Sequence, residues 1–175
     1  MPGLSQTQFL ELYDAYHGAL YRYLLVRVGR VETAQDLTSE TFLKAWRSLS
    51  KKGAIQYEKA YLYRVAGSVL ADYYKKSSKE VSADHDFLIQ TLDDSLKSAT
   101  IGDLADPVQM ARVHKVLQTL SPLYAEVVTL RYVEDLPHAE IARVVGKSEG
   151  AVRVLVTRAL KELREKLEAE EQSSV

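Results

Sequence analysis

The stretch from Ser121 to Leu167 constrains this chain most, because it spells out three short helices at helix-turn-helix spacing. A helix started by Ser121-Pro122 comes first. Leu136-Pro137-His138-Ala139-Glu140-Ile141-Ala142-Arg143-Val144-Val145-Gly146 follows, then Lys147-Ser148-Glu149-Gly150 and a basic helix predicted from Ala151. Helices that cross at such a turn need a small residue at the crossing, a glycine that accepts positive φ, and apolar residues pinning the second helix. Ala142, Gly146, Val152 and Leu155 meet those needs, so the segment implies DNA binding. The same pattern occurs in helical hairpins that never touch DNA, so the rest of the chain has to decide.

The rest also reads as helix, which makes the expected fold class all-α. Ser5 and Gln8 form a capping box ahead of Phe9, Leu12, Tyr13, Tyr16, Leu20, Tyr23 and Leu24, one apolar face of a first helix. A second helix, about Glu32 to Leu49, carries Ala34, Leu37, Phe42, Ala45, Trp46 and Leu49 as its inner stripe. A third, about Lys59 to Lys76, carries Leu62, Val65, Ala66, Val69, Leu70 and Tyr73. Asp106-Pro107 and Ser121-Pro122 each pair an N-cap with proline at the first helical position. From Ser77 to Asp106 the periodicity fails. That segment is rich in Ser, Asp and Thr and reads as a flexible acidic linker, giving two small helical domains, 1–76 and 107–171, joined by 77–106.

Charge follows the same division. Residues 1–76 hold 11 Lys and Arg against 7 Asp and Glu, residues 77–111 hold 2 against 7, and residues 112–175 hold 10 against 10. The net charge of −1 therefore hides an N-terminal excess of cations and an acidic middle. The chain has no cysteine, which excludes disulfides and thiolate metal sites and fits a reducing cytosol. No signal peptide and no apolar run of membrane-spanning length is present, so a soluble, cytoplasmic protein is expected. His17, His85, His114 and His138 lack ligand spacing, so no metal is expected, and no cofactor either. With no phosphate-cradling glycine loop and no nucleophile constellation, an enzyme acting on a small-molecule substrate is not expected.

Two separate segments resemble one family. Asp36-Leu37-Thr38-Ser39-Glu40-Thr41-Phe42-Leu43-Lys44-Ala45-Trp46, with Tyr61-Leu62-Tyr63-Arg64-Val65-Ala66 and Asp72-Tyr73-Tyr74-Lys75-Lys76, is similar to region two of the extracytoplasmic-function sigma factors of bacterial RNA polymerase. Leu120-Ser121-Pro122 through Arg131-Tyr132, Glu140-Ile141-Ala142 and Gly150-Ala151-Val152-Arg153 resemble their region four. The resemblance implies a factor that binds the polymerase core and directs promoter-specific transcription initiation, under the control of an anti-sigma factor.

It also implies which residues do what. Asp36, Ser39, Glu40, Lys44 and Arg47 would dock on the clamp coiled coil of the polymerase largest subunit, their carboxylates pairing with basic residues there. Lys51, Lys52, Tyr57, Tyr61, Arg64, Tyr73, Tyr74, Lys75 and Lys76 would grip the melted minus-ten strand, with Lys51-Lys52-Gly53 in a loop after Leu49. Cations serve phosphate and flat rings serve extruded bases. Ser148, Glu149, Arg153, Thr157, Arg158 and Lys161 would face the major groove of the minus-thirty-five element, the helix N-terminus behind Ser148 suiting a phosphate. The linker would thread a basic channel of the polymerase and stay mobile until then.

The chain departs from the family pattern at several places. Gly67-Ser68 stands where Arg-Asn is usual, which removes a cation and puts into a helix a glycine about 1 kcal/mol worse than alanine. Ser39 replaces Gln, Val154-Leu155 replaces Ser-Arg, and Lys147 replaces an apolar residue. Tyr13, Tyr16 and Tyr23, at core spacing, are read as packing, and the sign alternation from Lys161 to Glu171 as a solvated face. Two other classes fit parts of the sequence: an independent helix-turn-helix repressor or activator, and a purely protein-binding module that regulates another sigma factor. Promoter binding without polymerase marks the first. Loss of duplex binding by residues 107–175 marks the second.

Overall fold

The computed structural model describes residues 2–77 and 107–173, and seven α-helices order these described residues. They are α1 (Gln6–Val28), α2 (Val31–Lys52), α3 (Glu58–Ser77), α4 (Pro107–Thr119), α5 (Pro122–Val128), α6 (His138–Val145) and α7 (Glu149–Ser173). A π-helical turn, Thr129–Val133, continues α5. The expected linker and its mobility lie outside the described residues.

The first three helices form one bundle. Ser5 accepts from the Gln8 amide while the Gln8 side chain accepts from the Ser5 amide, so the capping box starts α1 as its sequence implies. Helix α2 runs past Leu49 to Lys52 and stops at Gly53, whose amide bonds the Leu49 carbonyl. Lys51 and Lys52 thus extend the last turn of α2 instead of lying in a loop, where two cations complement the negative end of the helix dipole. Phe9, Tyr13, His17, Phe42 and Trp46 gather at the α1–α2 contact as tilted and edge-on rings, 4.7–6.2 Å apart.

The C-terminal helices build the expected turn. Ser121 accepts from the Tyr124 amide with Pro122 just inside α5, and Gly146 closes α6 at φ 69°. Helix α7 begins at Glu149, two residues before the expected Ala151, because the Ser148 hydroxyl caps it by accepting from the Ala151 amide. Val152, Val156 and Ala159 form its buried stripe, while Leu155 is only partly covered. The pinning role expected of Leu155 is therefore carried mainly by its neighbours.

What the amphipathic pattern did not predict is the end of α1. Every residue from Tyr23 to Val28 is buried, Arg27 included, because α2 and α3 cover one side and the C-terminal helices the other. The last carbonyls of a helix lack partners within it. Here Gly29 donates to Leu25, Nδ1 of His114 to Val26 at 2.9 Å, and Tyr74 and Gln118 both to Arg27. Two of these donors come from α4, so the C-terminal half supplies part of the cap of the first helix.

Two carboxylates of the C-terminal half complete the seam. Glu134, its side chain wholly buried, accepts two bonds from Arg22 at 2.9 and 3.0 Å and one from Tyr63 at 2.7 Å. Glu126 accepts from Tyr23 and Arg27, both at 2.6 Å. Tyr23 and Tyr63 stand edge to face, 5.4 Å apart. Eight residues separate the carboxylates, roughly 80° out of phase in an uninterrupted α-helix. The π turn between them absorbs one residue and brings both onto the face that meets α1 and α3.

Burial pushes the Tyr23 hydroxyl well above its ordinary value, and the neighbouring Glu126 carboxylate adds to the rise while Arg27 opposes it. Burial and then Glu134 do the same to Tyr63. Burial works against the charge of Arg27 and Arg22, yet their partners win and both stay above the ordinary arginine value. All four donors hold their protons at neutral pH.

Gly29 and Gly146 adopt the same left-handed conformation, φ 68° and 69°, but differ in surroundings. A Cβ on Gly29 would lie 2.6 Å from the His114 ring, whereas one on Gly146 meets nothing within 4 Å. Gly146→Ala should therefore cost about 1–2 kcal/mol by urea denaturation, the conformational penalty alone. Gly29→Ala should cost clearly more, because His114 must also leave the Val26 carbonyl.

The tyrosines set a second expectation. Their folded values lie above the unfolded value near ~10, so the folded state favours the protonated form. Their contribution is whole below pH ~10 and is lost as pH rises beyond it, by about 1.4 kcal/mol per pH unit per tyrosine until the folded value is reached. Stability measured from pH 9 to 11 should fall steeply. Tyr23→Phe and Tyr63→Phe together should flatten that fall.

Candidate nucleic-acid interface

The polar face of α2 is held open to solvent by the burial of its other face. Ala34, Leu37, Thr38, Thr41, Phe42, Ala45 and Leu49 point inward, and the Thr38 and Thr41 hydroxyls return to the Ala34 and Leu37 carbonyls one turn back. That leaves Asp36, Ser39, Glu40 and Arg47 exposed and Lys44 half-buried. Lys44 bridges Glu40 at 3.2 Å and Asp72 of α3 at 3.4 Å, and the bond to Glu40 is the main reason its ammonium is raised above the ordinary lysine value. The surface thus presents Asp36 on one turn and a partly neutralised Glu40 on the next. Such a mixed face suits a partner that offers basic side chains.

The residues expected on a single strand are spread along the end of α2, the Gly53–Tyr57 connection and α3. Lys51, Lys52, Tyr57, Arg64, Lys75 and Lys76 are exposed; Tyr61 and Tyr74 are half-buried. Two of the rings are already engaged. The Arg143 guanidinium of α6 lies 4.2 Å from the centroid of Tyr57, and the Tyr74 hydroxyl donates to the Arg27 carbonyl. Burial also raises the Tyr74 hydroxyl above its ordinary value. Tyr73, expected on the apolar stripe as well as on DNA, packs half-buried against Tyr74.

Gly67 falls on this side of α3. A Cβ there would sit 3.7 Å from both the Glu126 carboxylate and the Tyr23 hydroxyl. The site where an arginine is usual thus faces the seam, beside a cleft of about 380 Å³ lined in part by Arg27, Arg64, Tyr74, Leu123 and Val144. Sequence reading took the position for a lost strand contact and missed the seam. It also missed Arg22, Arg27, Glu126 and Glu134, although an arginine inside the apolar run from Tyr23 to Val28 is a usable signal, since a buried cation requires a carboxylate.

The third expected surface lies at the start of α7. Ser148, Glu149, Arg153, Thr157, Arg158 and Lys161 are all exposed, opposite the stripe of Val152, Val156 and Ala159. Arg153 bridges Glu149 at 2.7 Å, and the Thr157 hydroxyl returns to the Arg153 carbonyl. Ser148 is occupied as a cap. Among the described residues no cluster of three His, Asp or Glu could hold a metal ion, and no helix is long and apolar enough to cross a membrane.

Comparison with known proteins meets this geometry at both ends. The family model for Sigma-70 region 2 matches residues 12–80, and that for Sigma-70, region 4 matches residues 110–163. The ECF RNA polymerase sigma factor BldN of Streptomyces coelicolor is 37% identical over 161 residues, covering 89% of this chain and 58% of its own length. The ECF RNA polymerase sigma factor SigM of Bacillus subtilis is 27% identical over 158 residues, covering 88% of this chain and 91% of its own. The fold is similar to that of CnrH in its complex with the cytosolic domain of CnrY, with TM-score 0.67 and 24% identity over 94% of this chain and 90% of that one. It is also similar to the sigma factor RpoE of Bartonella quintana, solved with the anti-sigma factor NepR, with TM-score 0.64 and 21% identity over 93% and 98% of the two chains. With both sigma-70 regions in order on one chain and extracytoplasmic-function factors among its relatives, the protein belongs to the extracytoplasmic-function group of the sigma-70 family.

Proposed function

We propose that this chain is a promoter-selecting subunit of bacterial RNA polymerase, working in the cytoplasm. It docks on the core through α2, grips the melted minus-ten strand with the end of α2 and with α3, and lays α7 in the major groove of the minus-thirty-five element. The carrying observation is the presence of two family regions in one chain, each with its expected polar residues on an exposed helix face. The catalysis of transcription belongs to the polymerase. This chain supplies recognition and needs no cofactor. An anti-sigma protein is the further partner this reading entails, as RpoE has in NepR. An independent repressor is disfavoured by the region-two match, since such a protein has no use for a polymerase-docking helix. Reconstitution with core polymerase and run-off transcription on genomic fragments tests the reading: a transcript that depends on this chain supports it, and none overturns it.

Docking makes a sharper prediction. Asp36 and Glu40 are exposed, so replacing both by Lys should leave the helical circular dichroism unchanged. Co-elution with core polymerase should fall at least tenfold, roughly the 1.4 kcal/mol or more that a reversed charge pair forfeits. Undiminished co-elution would assign docking to another face.

On α7, Arg153→Ala and Arg158→Ala should each weaken promoter binding. A base contact should cost about 1–3 kcal/mol at one position of the site, whereas a phosphate contact should cost affinity on every sequence and flatten the salt slope by about one unit. Titrations on a promoter duplex at two salt concentrations separate these outcomes. Unchanged binding by both variants would mean that α7 enters the groove by another face or not at all.

A further inference from the structure

The segment ahead of α1 is built into the far end of α2. Residues 2–4 run across its last turn, where the Leu4 amide donates to the Leu49 carbonyl at 2.9 Å and the Leu4 side chain is buried in the core. Gly53 donates to the same carbonyl, also at 2.9 Å. Carbonyls in the last turn of a helix depend on donors from outside it, and the two lone pairs of one oxygen can hold two of them. Here one donor comes from the turn that ends α2 and the other from the segment that precedes α1.

Glycine is required on both sides of this joint, for different reasons. A Cβ on Gly3 would overlap the backbone carbonyl of Ser50, so two stretches of main chain meet there with no room for a side chain. Gly53 is buried and holds φ 85° and ψ −170°, a conformation almost confined to glycine. Its direction decides where the chain goes next. Beyond it residues 54–57 run irregularly, with Ile55 half-buried against the core and Ala54, Gln56 and Tyr57 exposed. Lys51 and Lys52 sit on the turn just before it. The candidate strand-binding residues at the end of α2 thus flank a turn whose anchor is shared with residues 2–4.

We propose that Gly3 and Leu4 are positioning residues for recognition of the melted minus-ten strand: they fix the Gly53 turn, and through it the placement of Lys51, Lys52 and Tyr57 against an extruded base. The proposal rests on the assignment of those three residues to the strand. Cations and rings on a loop discriminate between bases only when the loop has one shape, because each alternative shape offers each base a different fit. A loop released from its anchor still carries its charge. It keeps its grip on phosphate and loses its choice of base.

Gly3→Ala tests this, because the added methyl group meets backbone that moves aside only if residues 2–4 or the end of α2 move with it. Gly18→Ala is the control, its Cβ meeting nothing within 4 Å at an exposed position of α1. In the free chain, hydrogen exchange at the Gly53 amide should be at least tenfold faster in Gly3→Ala than in the parent or the control, with exchange in α3 unchanged. Each protein is then reconstituted with core polymerase and titrated with a single-stranded oligonucleotide carrying the minus-ten element of a promoter found by run-off transcription. Each base of the element is replaced in turn, and the largest ratio of affinities seen in the parent should fall at least threefold in Gly3→Ala and stay unchanged in the control. A loss of folded protein lowers every apparent affinity alike and leaves that ratio where it was, so the ratio reports positioning and not stability. Leu4→Ala, which keeps the amide and removes the buried side chain, should act in the same direction, and Leu4→Met should restore the parent ratio. Unchanged Gly53 exchange in both Gly3→Ala and Leu4→Ala, or faster exchange with an unchanged ratio, would overturn the proposal. If Lys51→Ala with Lys52→Ala binds every oligonucleotide as the parent does, the assignment of the end of α2 to the strand falls and takes the positioning role with it, whereas faster Gly53 exchange still establishes the anchor.

Discussion

The C-terminal turn of α1 is where the structure is decided. A helix end leaves carbonyls without partners, and burying such an end is affordable only if other elements donate to it. Here the donors are His114 and Gln118 of α4 and Tyr74 of α3, so two helices far apart in sequence converge on one turn of a third. Gly29 turns the chain away with its left-handed φ and leaves room for the His114 ring. The apolar residues of that turn, Leu24, Leu25, Val26 and Val28, then link the two halves into one continuous core. Fully burying such a side chain contributes about 1.5–3 kcal/mol, more than any exposed ion pair on this protein can offer.

The charged groups of the seam act differently. Exposed pairs such as Lys44 with Glu40, Arg153 with Glu149 and Lys166 with Glu162 each contribute roughly 0.3–0.5 kcal/mol. Glu134 is wholly buried on Arg22 and Tyr63, and a buried pair of this kind brings little net stability because both ions give up water. Its effect lies in what it forbids. A relative rotation of the halves that kept the apolar contact but displaced Arg22 would leave a buried carboxylate unpaired, at a cost of about 3–5 kcal/mol. Apolar burial thus drives association across the seam, and the two carboxylates fix its register.

Much of this was legible in the sequence where a local rule governs. The capping box at Ser5, the Ser121-Pro122 start and the turn at Gly146 all appear where composition places them, since each depends on a few neighbouring residues. The one-sided stripe of α2 was legible for the same reason, and it leaves Asp36 and Glu40 outward. The seam was not. Leu25, Val26 and Val28 fall outside the single face drawn from Phe9 to Leu24, and only contact with a distant segment explains their burial. Nor does the spacing of Glu126 and Glu134 suggest a shared face, because the pattern assumes an unbroken α-helix and the π turn shifts the phase by one residue. Lys51 and Lys52 were misplaced by a smaller effect, the glycine that stops α2 lying just beyond them.

The two kinds of contact in the C-terminal half also differ in what they permit. Inside it, Val152, Val156 and Ala159 of α7 meet Ile141 and Val127 in a contact whose side chains carry no polar atom and gain nothing from water. The helix-turn-helix therefore persists as a unit. Across the seam, the apolar residues at the end of α1 are joined by Tyr23, Tyr63, Arg22, Arg27, Glu126 and Glu134, whose hydrogen bonds are directional and hold only in one register. Gly67 extends this difference, since an alanine-sized side chain there meets only the Glu126 carboxylate and the Tyr23 hydroxyl at 3.7 Å. The helix gives up about 1 kcal/mol of propensity at that position and gains a smooth face beside the polar network. The seam therefore combines a dry apolar contact, which holds the halves together, with a polar network whose fixed hydrogen-bond partners set their register.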